Sequence, residues 1–90
     1  MVRRTARKTR ALGQHFLTDQ RVAKQIVDGS GIDDQTVVLE IGPGRGALTH
    51  FLANRAKHVL AVELDRALAD DLPNLISAQN LTVITGDVLK

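Results

Sequence analysis

Val37-Val38-Leu39-Glu40-Ile41-Gly42-Pro43-Gly44-Arg45-Gly46 is the stretch whose reading decides the fold. A β-branched and aliphatic run ends in an acid, and three glycines then alternate with other residues. A helical pattern of Ala47, Leu48, Phe51 and Leu52 follows at once. Strand, glycine turn and helix, in that order, form the unit with which doubly wound sheets hold nucleotide-like ligands at a strand's carboxyl end. Glycine is required where the backbone takes positive φ or passes close to a ligand. The first helical N–H groups then point at whatever lies over the turn. The spacing is G-x-G-x-G with Pro43 inside it, not the G-x-G-x-x-G of dinucleotide enzymes, and a tight turn without a ligand has the same local pattern. Acids at the expected strand ends, Glu40, Glu63 and Asp87, tip the balance toward a ligand site.

Outward from this unit, 90 residues make one small domain at most. Hydrophobic content of 43% argues against disorder, and the absence of cysteine excludes a disulfide framework or thiolate metal site. No apolar run approaches a membrane span and the basic N-terminus lacks an apolar signal core, so a cytoplasmic location is expected. Arg3, Arg4, Arg7, Lys8 and Arg10 place five positive charges in the first ten residues, whereas the other eighty carry seven basic and ten acidic side chains. A basic arm over residues 1–11, ahead of an acidic domain, points to a polyanionic partner such as nucleic acid, since such arms gain affinity by counterion release. A frayed, solvated terminus has the same composition.

The rest of the chain supplies alternating elements. Thr18 and Asp19 offer an N-cap for a helix over Asp19–Asp28, with Val22, Ala23, Ile26 and Val27 on its buried face and Gly29 and Gly31 stopping it. Thr36–Ile41 is the first strand of the unit, apolar on both faces as a central parallel strand should be. A helix over Ala47–Arg55, a strand over His58–Glu63, a helix over Arg66–Leu72 broken by Pro73, and a strand over Leu81–Thr85 complete it. The result is an α/β chain with about three parallel strands, half of a doubly wound fold. It leaves the first strand with an exposed edge.

The three acids suggest the ligand. Glu63 falls nineteen residues after Gly44, where a carboxylate can accept both hydrogen bonds of a ribose diol. Asp87, beside Gly86, can accept from an exocyclic adenine amine. Ribose and adenine without a pyrophosphate clamp fit S-adenosylmethionine, whose cationic end would lie over Gly42–Gly46. Glu40 would order that turn, by capping its N–H groups, and add negative potential near the cation. Blander alternatives stay open: Glu63 solvated at a strand end, Asp87 an ordinary turn residue, Arg45 solvated or meeting a phosphate. His50 and His58 lack partners at metal-ligand spacing, so no metal site is expected.

Leu12-Gly13-Gln14-His15-Phe16-Leu17, then Leu39-Glu40-Ile41-Gly42-Pro43-Gly44-Arg45-Gly46, then Val62-Glu63-Leu64-Asp65 closely resemble the ribosomal RNA adenine N6-dimethyltransferases. Members modify adjacent adenosines of small-subunit rRNA, and the macrolide-resistance methylases of 23S rRNA are close relatives. The resemblance runs from Ala11 to the end of the chain. It implies the N-terminal half of a Rossmann-like S-adenosylmethionine-dependent methyltransferase fold over residues 12–90. It further implies cofactor contacts from His15, Leu17, Gly42, Gly44, Glu63 and Asp87, a ribosomal RNA partner in a small-subunit precursor particle, and no metal. Gly13-Gln14 leans toward the small-subunit branch. The family's catalytic Asn-Leu-Pro-Tyr (or Phe) motif lies beyond a fourth strand and does not occur in this sequence, so no catalytic residue is assigned and the chain alone is expected to be inactive. An NAD-dependent oxidoreductase half-domain and an RNA-binding module with a vestigial glycine loop are the remaining alternatives.

Overall fold

The computed structural model describes residues 4–5 and 20–87. Four parallel strands form one sheet in the order β1 (Arg4–Thr5), β2 (Val37–Ile41), β3 (His58–Glu63) and β4 (Leu81–Thr85), with helices α1 (Gln20–Asp28), α2 (Ala47–Arg55) and α3 (Arg66–Leu75) between them. The register pairs Val38 with Val59, Glu40 with Ala61 and Glu63 with Thr85. Alternation along each strand therefore puts Val38, Glu40, Val59, Ala61 and Glu63 on one face. The core gathers there: Ala23 and Val27 of α1 and Leu48 and Leu52 of α2 close over Val38 and Val59, while Leu72 and Ile76 close over Ala61. This is the Rossmann-like α/β arrangement that the alternating elements predict.

Three local readings need correction. The edge of β2 is partly covered rather than open: Arg4–Thr5, inside the span read as a flexible arm, runs parallel to Leu39–Glu40. The unpaired N–H and C=O groups of a strand edge accept any extended segment that reaches them. Ile26, assigned to the buried face of the first helix, is 46% exposed, whereas Ala23 and Val27 are buried. Pro73 does not break the third helix, which continues to Leu75. In this last turn proline removes only its own N–H bond, and the buried Leu72 and Ile76 hold the turn against β3, with the Ile76 N–H donating to Leu72 O at 2.9 Å.

Two side chains fix where α2 ends and α1 lies. The Asn80 amide donates to Ala53 O and Ala56 O at 2.8 and 3.1 Å, satisfying carbonyls that the helix leaves open. Asp28 receives Arg55 of α2 at 2.8 Å and Lys24 of its own helix at 2.6 Å.

Gly46 is the tightest point of the framework. Its φ is +86°, and a Cβ there would lie 2.7 Å from Leu72 Cδ1 and closer still to Ile76 Cδ1. Gly46→Ala is therefore expected to destabilise the protein by about 2–4 kcal/mol, combining left-handed strain with overpacking. Gly86→Ala, whose Cβ meets nothing within 4 Å, should stay within about 0.5 kcal/mol of wild type. Urea-unfolding midpoints of the two variants check the contrast.

Candidate functional site at the strand ends

Because the strands are parallel, β2, β3 and β4 all deliver their carboxyl ends to one edge, and the connecting turns cluster there. The turn after β2 is held at both ends. The Gly42 N–H donates to Val62 O at 2.8 Å, prolonging the ladder, and the Gly46 N–H donates to Pro43 O at 2.9 Å, closing a tight turn. Gly42, Gly44 and Gly46 all have positive φ, at 70°, 60° and 86°. A Cβ on Gly42 or Gly44 would meet nothing within 4 Å. Glycine stands at these two positions for its backbone conformation, and the backbone there faces open space. No side chain caps α2 at Gly46, so the first N–H groups of α2 remain available over the same turn. The contrast with α3 is plain, because Asp65 caps that helix by accepting the Leu68 N–H at 3.1 Å.

Glu63 is the centre of the cluster. Only 7% exposed, it accepts the Gly44 N–H on Oε1 at 3.0 Å and the Asp65 N–H on Oε2 at 2.9 Å. One carboxylate thus ties the glycine turn to the loop that starts α3. Each oxygen keeps a further acceptor site, since an ionised carboxylate offers about four. The Glu63 carbonyl also accepts the Gly86 N–H at 3.0 Å, which brings the Gly86-Asp87 loop beside the same strand end. Gly42, Gly44 and Glu63 therefore meet at one strand-end edge, with the Gly86-Asp87 loop bonded beside them. His15 and Leu17 lie outside the described residues.

Glu40 departs from expectation. It does not cap the turn: the turn's Gly44 N–H goes to Glu63 instead. Glu40 is 1% exposed and accepts a 2.5 Å hydrogen bond from the hydroxyl of Thr49, itself fully buried in the first turn of α2. Burial pushes its carboxyl from the ordinary 4.5 up to about 7; the Thr49 bond opposes that rise and the nearby Glu63 charge adds to it. Thr49 was not picked out from sequence. Its signal was a hydroxyl residue between Leu48 and Leu52 on the face that α2 buries.

No group of three or more His, Cys, Asp or Glu side chains suited to a metal occurs among the described residues, and no described helix is long and apolar enough to cross a membrane. His58 bonds the Thr82 hydroxyl at 2.8 Å, and His50 is exposed with its ring edge-on to Phe51. A concavity of about 530 Å³ lies elsewhere, between the end of α3 and β4, lined by residues including Pro73, Ile76, Leu81 and Val83. Its lining carries no acid or base, so the chemistry-bearing groups remain those at the strand ends.

The family profile described as Ribosomal RNA adenine dimethylase matches residues 5–90. Ribosomal RNA small subunit methyltransferase A of Streptococcus pneumoniae is 49% identical over 82 residues, which cover 90% of this chain and 28% of the relative. The crystal structure of the 23S rRNA methyltransferase ErmE superposes with a TM-score of 0.76 at 37% identity, covering 83% of this chain and 31% of that one. A dimethyladenosine transferase from Plasmodium falciparum gives a TM-score of 0.71 at 29% identity, covering 80% and 27%. The chain thus spans under a third of the length of these relatives.

The Glu40 carboxyl gives a pH prediction. Its folded pKa of about 7 lies above the ordinary 4.5, so the folded protein holds the proton more tightly than the unfolded chain. The resulting stabilisation is fully present below pH 4.5 and is lost as pH rises through 7. Glu40→Gln, which cannot ionise, should be more stable than wild type at pH 8 by roughly 2–3 kcal/mol, with the gap closing by pH 4. Thermal unfolding of both proteins across that range checks the sign.

Proposed function

The chain belongs to the ribosomal RNA adenine dimethylase family, and from that membership we propose that the whole protein dimethylates the exocyclic N6 of adenosines in small-subunit ribosomal RNA. The observation that carries this reading is the 49% identity to relatives named for the small-subunit enzyme. The likeness to the 23S rRNA methyltransferase ErmE supports the same chemistry on a different RNA, at the lower identity of 37%. A small-subunit precursor particle in the cytoplasm is the proposed setting.

S-adenosylmethionine is the proposed cofactor, supplying an electrophilic methyl on a sulfonium. The residues present fit it. Gly42 and Gly44 offer open backbone for the methionine portion. Glu63 keeps acceptor sites for a ribose diol beyond its two backbone bonds. Asp87, carried by the loop bonded to the Glu63 carbonyl, is the proposed acceptor for the adenine amine. His15 and Leu17 are proposed contacts by family resemblance. The role of these residues is to orient the cofactor; methyl transfer to a positioned amine depends chiefly on proximity and exclusion of water.

Two measurements test this. The whole protein, given S-adenosylmethionine carrying a labelled methyl, should label small-subunit precursor particles and leave naked 23S rRNA unlabelled; the reverse pattern would replace the substrate. Glu63→Gln can no longer accept at both oxygens. It should weaken S-adenosylmethionine binding roughly tenfold or more by calorimetry, while NAD should not bind either protein.

A further inference from the structure

Among the described residues, Glu40 is a buried acid without a cationic partner. Among the described residues its one side-chain hydrogen bond is from Thr49, and its side chain is sealed from solvent at 1% exposure. It sits on the same sheet face as Glu63, at the strand end two residues before Gly42, with Thr49 joining it to the first turn of α2. The neighbouring charges make its position worse, not better. Glu63 on β3 carries the same sign, α2 presents the neutral Thr49, and the exposed Arg45 of the turn forms no ion pair among the described residues. Buried acids are ordinarily paired or replaced, because desolvation disfavours their charge. Glu40 is near enough to Glu63 for the two charges to interact, and Glu63 bonds the Gly44 N–H, so a positive group over the clear backbone of Gly42 and Gly44 would lie within reach of the Glu40 field.

We propose that Glu40, held in place by Thr49, is a charge-sensing residue beneath the glycine turn that favours a cationic sulfonium ligand over its uncharged thioether product. This rests on the cofactor reading above. Glu40 acts through its field and touches no reacting atom, and Thr49 is its positioning residue. The consequence is directional. Before methyl transfer the ligand's positive charge draws Glu40 toward its ionised form. After transfer the charge is gone, the carboxylate is left uncompensated, and the product is held less firmly. By reciprocity, binding the cation should expel a proton from Glu40 near its titration midpoint of about 7.

The test measures binding of S-adenosylmethionine and S-adenosylhomocysteine to the whole protein by calorimetry between pH 5.5 and 7.5. The expected result is an affinity ratio that swings toward the sulfonium by roughly tenfold across this range, one unit of linked pKa. Proton release, read from two buffers of different ionisation enthalpy, should be larger for the sulfonium. In Glu40→Gln the ratio should be flat and lower, and Thr49→Val should move it in the same direction. A wild-type ratio that does not change with pH, or a Glu40→Gln variant that weakens both ligands equally, would overturn the inference. Should either variant fail to fold, the wild-type pH profile and proton count decide alone. Binding of neither ligand would instead refute the cofactor reading, so the two failures are distinguishable.

Discussion

The carboxylate of Glu63 is the constraint on which the functional edge depends. Its two oxygens take the N–H groups of Gly44 and Asp65, and so they fix the turn after β2 relative to the loop after β3. Without it, two loops from adjacent strands would each have to satisfy a backbone donor elsewhere. Charge-assisted bonds of this kind are about twice as strong as neutral ones, and here they lie in a site only 7% exposed. The turn positioned in this way orients α2, and α2 in turn brings Thr49 to Glu40. A single strand-end acid therefore ties the glycine turn after β2 to the loop after β3.

Packing arrives at the same place from below. Leu72 and Ile76 of the α3 region press against Gly46, the residue from which α2 starts. The helix that follows β3 thus buttresses the turn that follows β2. The upper side of the turn, at Gly42 and Gly44, is left clear. Tight support beneath and open backbone above is the arrangement a preorganised ligand site requires, because a turn that is already fixed loses little entropy when a ligand docks.

Most of the fold was legible because the signals were local. The largely apolar runs at 37–41 and 58–62 carry parallel strands, and the helical spacing after Gly46 carries α2. What escaped depended on contacts between elements. Pro73 looks like a breaker until Leu72 and Ile76 are seen to hold the last turn in place. Ile26 looks like core by periodicity, yet the residues α1 fully buries are Ala23 and Val27, a narrow stripe. The pairing of Arg4–Thr5 with β2 has no apolar signature, since an edge pairs through its backbone. At the site, the acids Glu40, Glu63 and Asp87 were visible as strand-end residues, but the division of labour between the first two was not. Spacing cannot say which of two carboxylates meets the Gly44 N–H. That is set by sheet register, which places Glu63, three residues beyond the partner of Leu39, alongside the turn.

The same register explains why one acid is satisfied and the other is not. Glu63 stands at the last position of β3, where loop N–H groups converge on it; Glu40 stands one residue inside β2, where the neighbouring backbone is already committed to the ladder. Only a side chain can serve Glu40, and among the described residues a single hydroxyl does so. An amide or an aliphatic residue at this position would fill the space without a buried charge. Among the described residues nothing supplies a counter-charge to the ionised form of Glu40, which the proposed cationic cofactor would. The adjacent turn, clear of side chains at Gly42 and Gly44, has room to admit such a counter-charge.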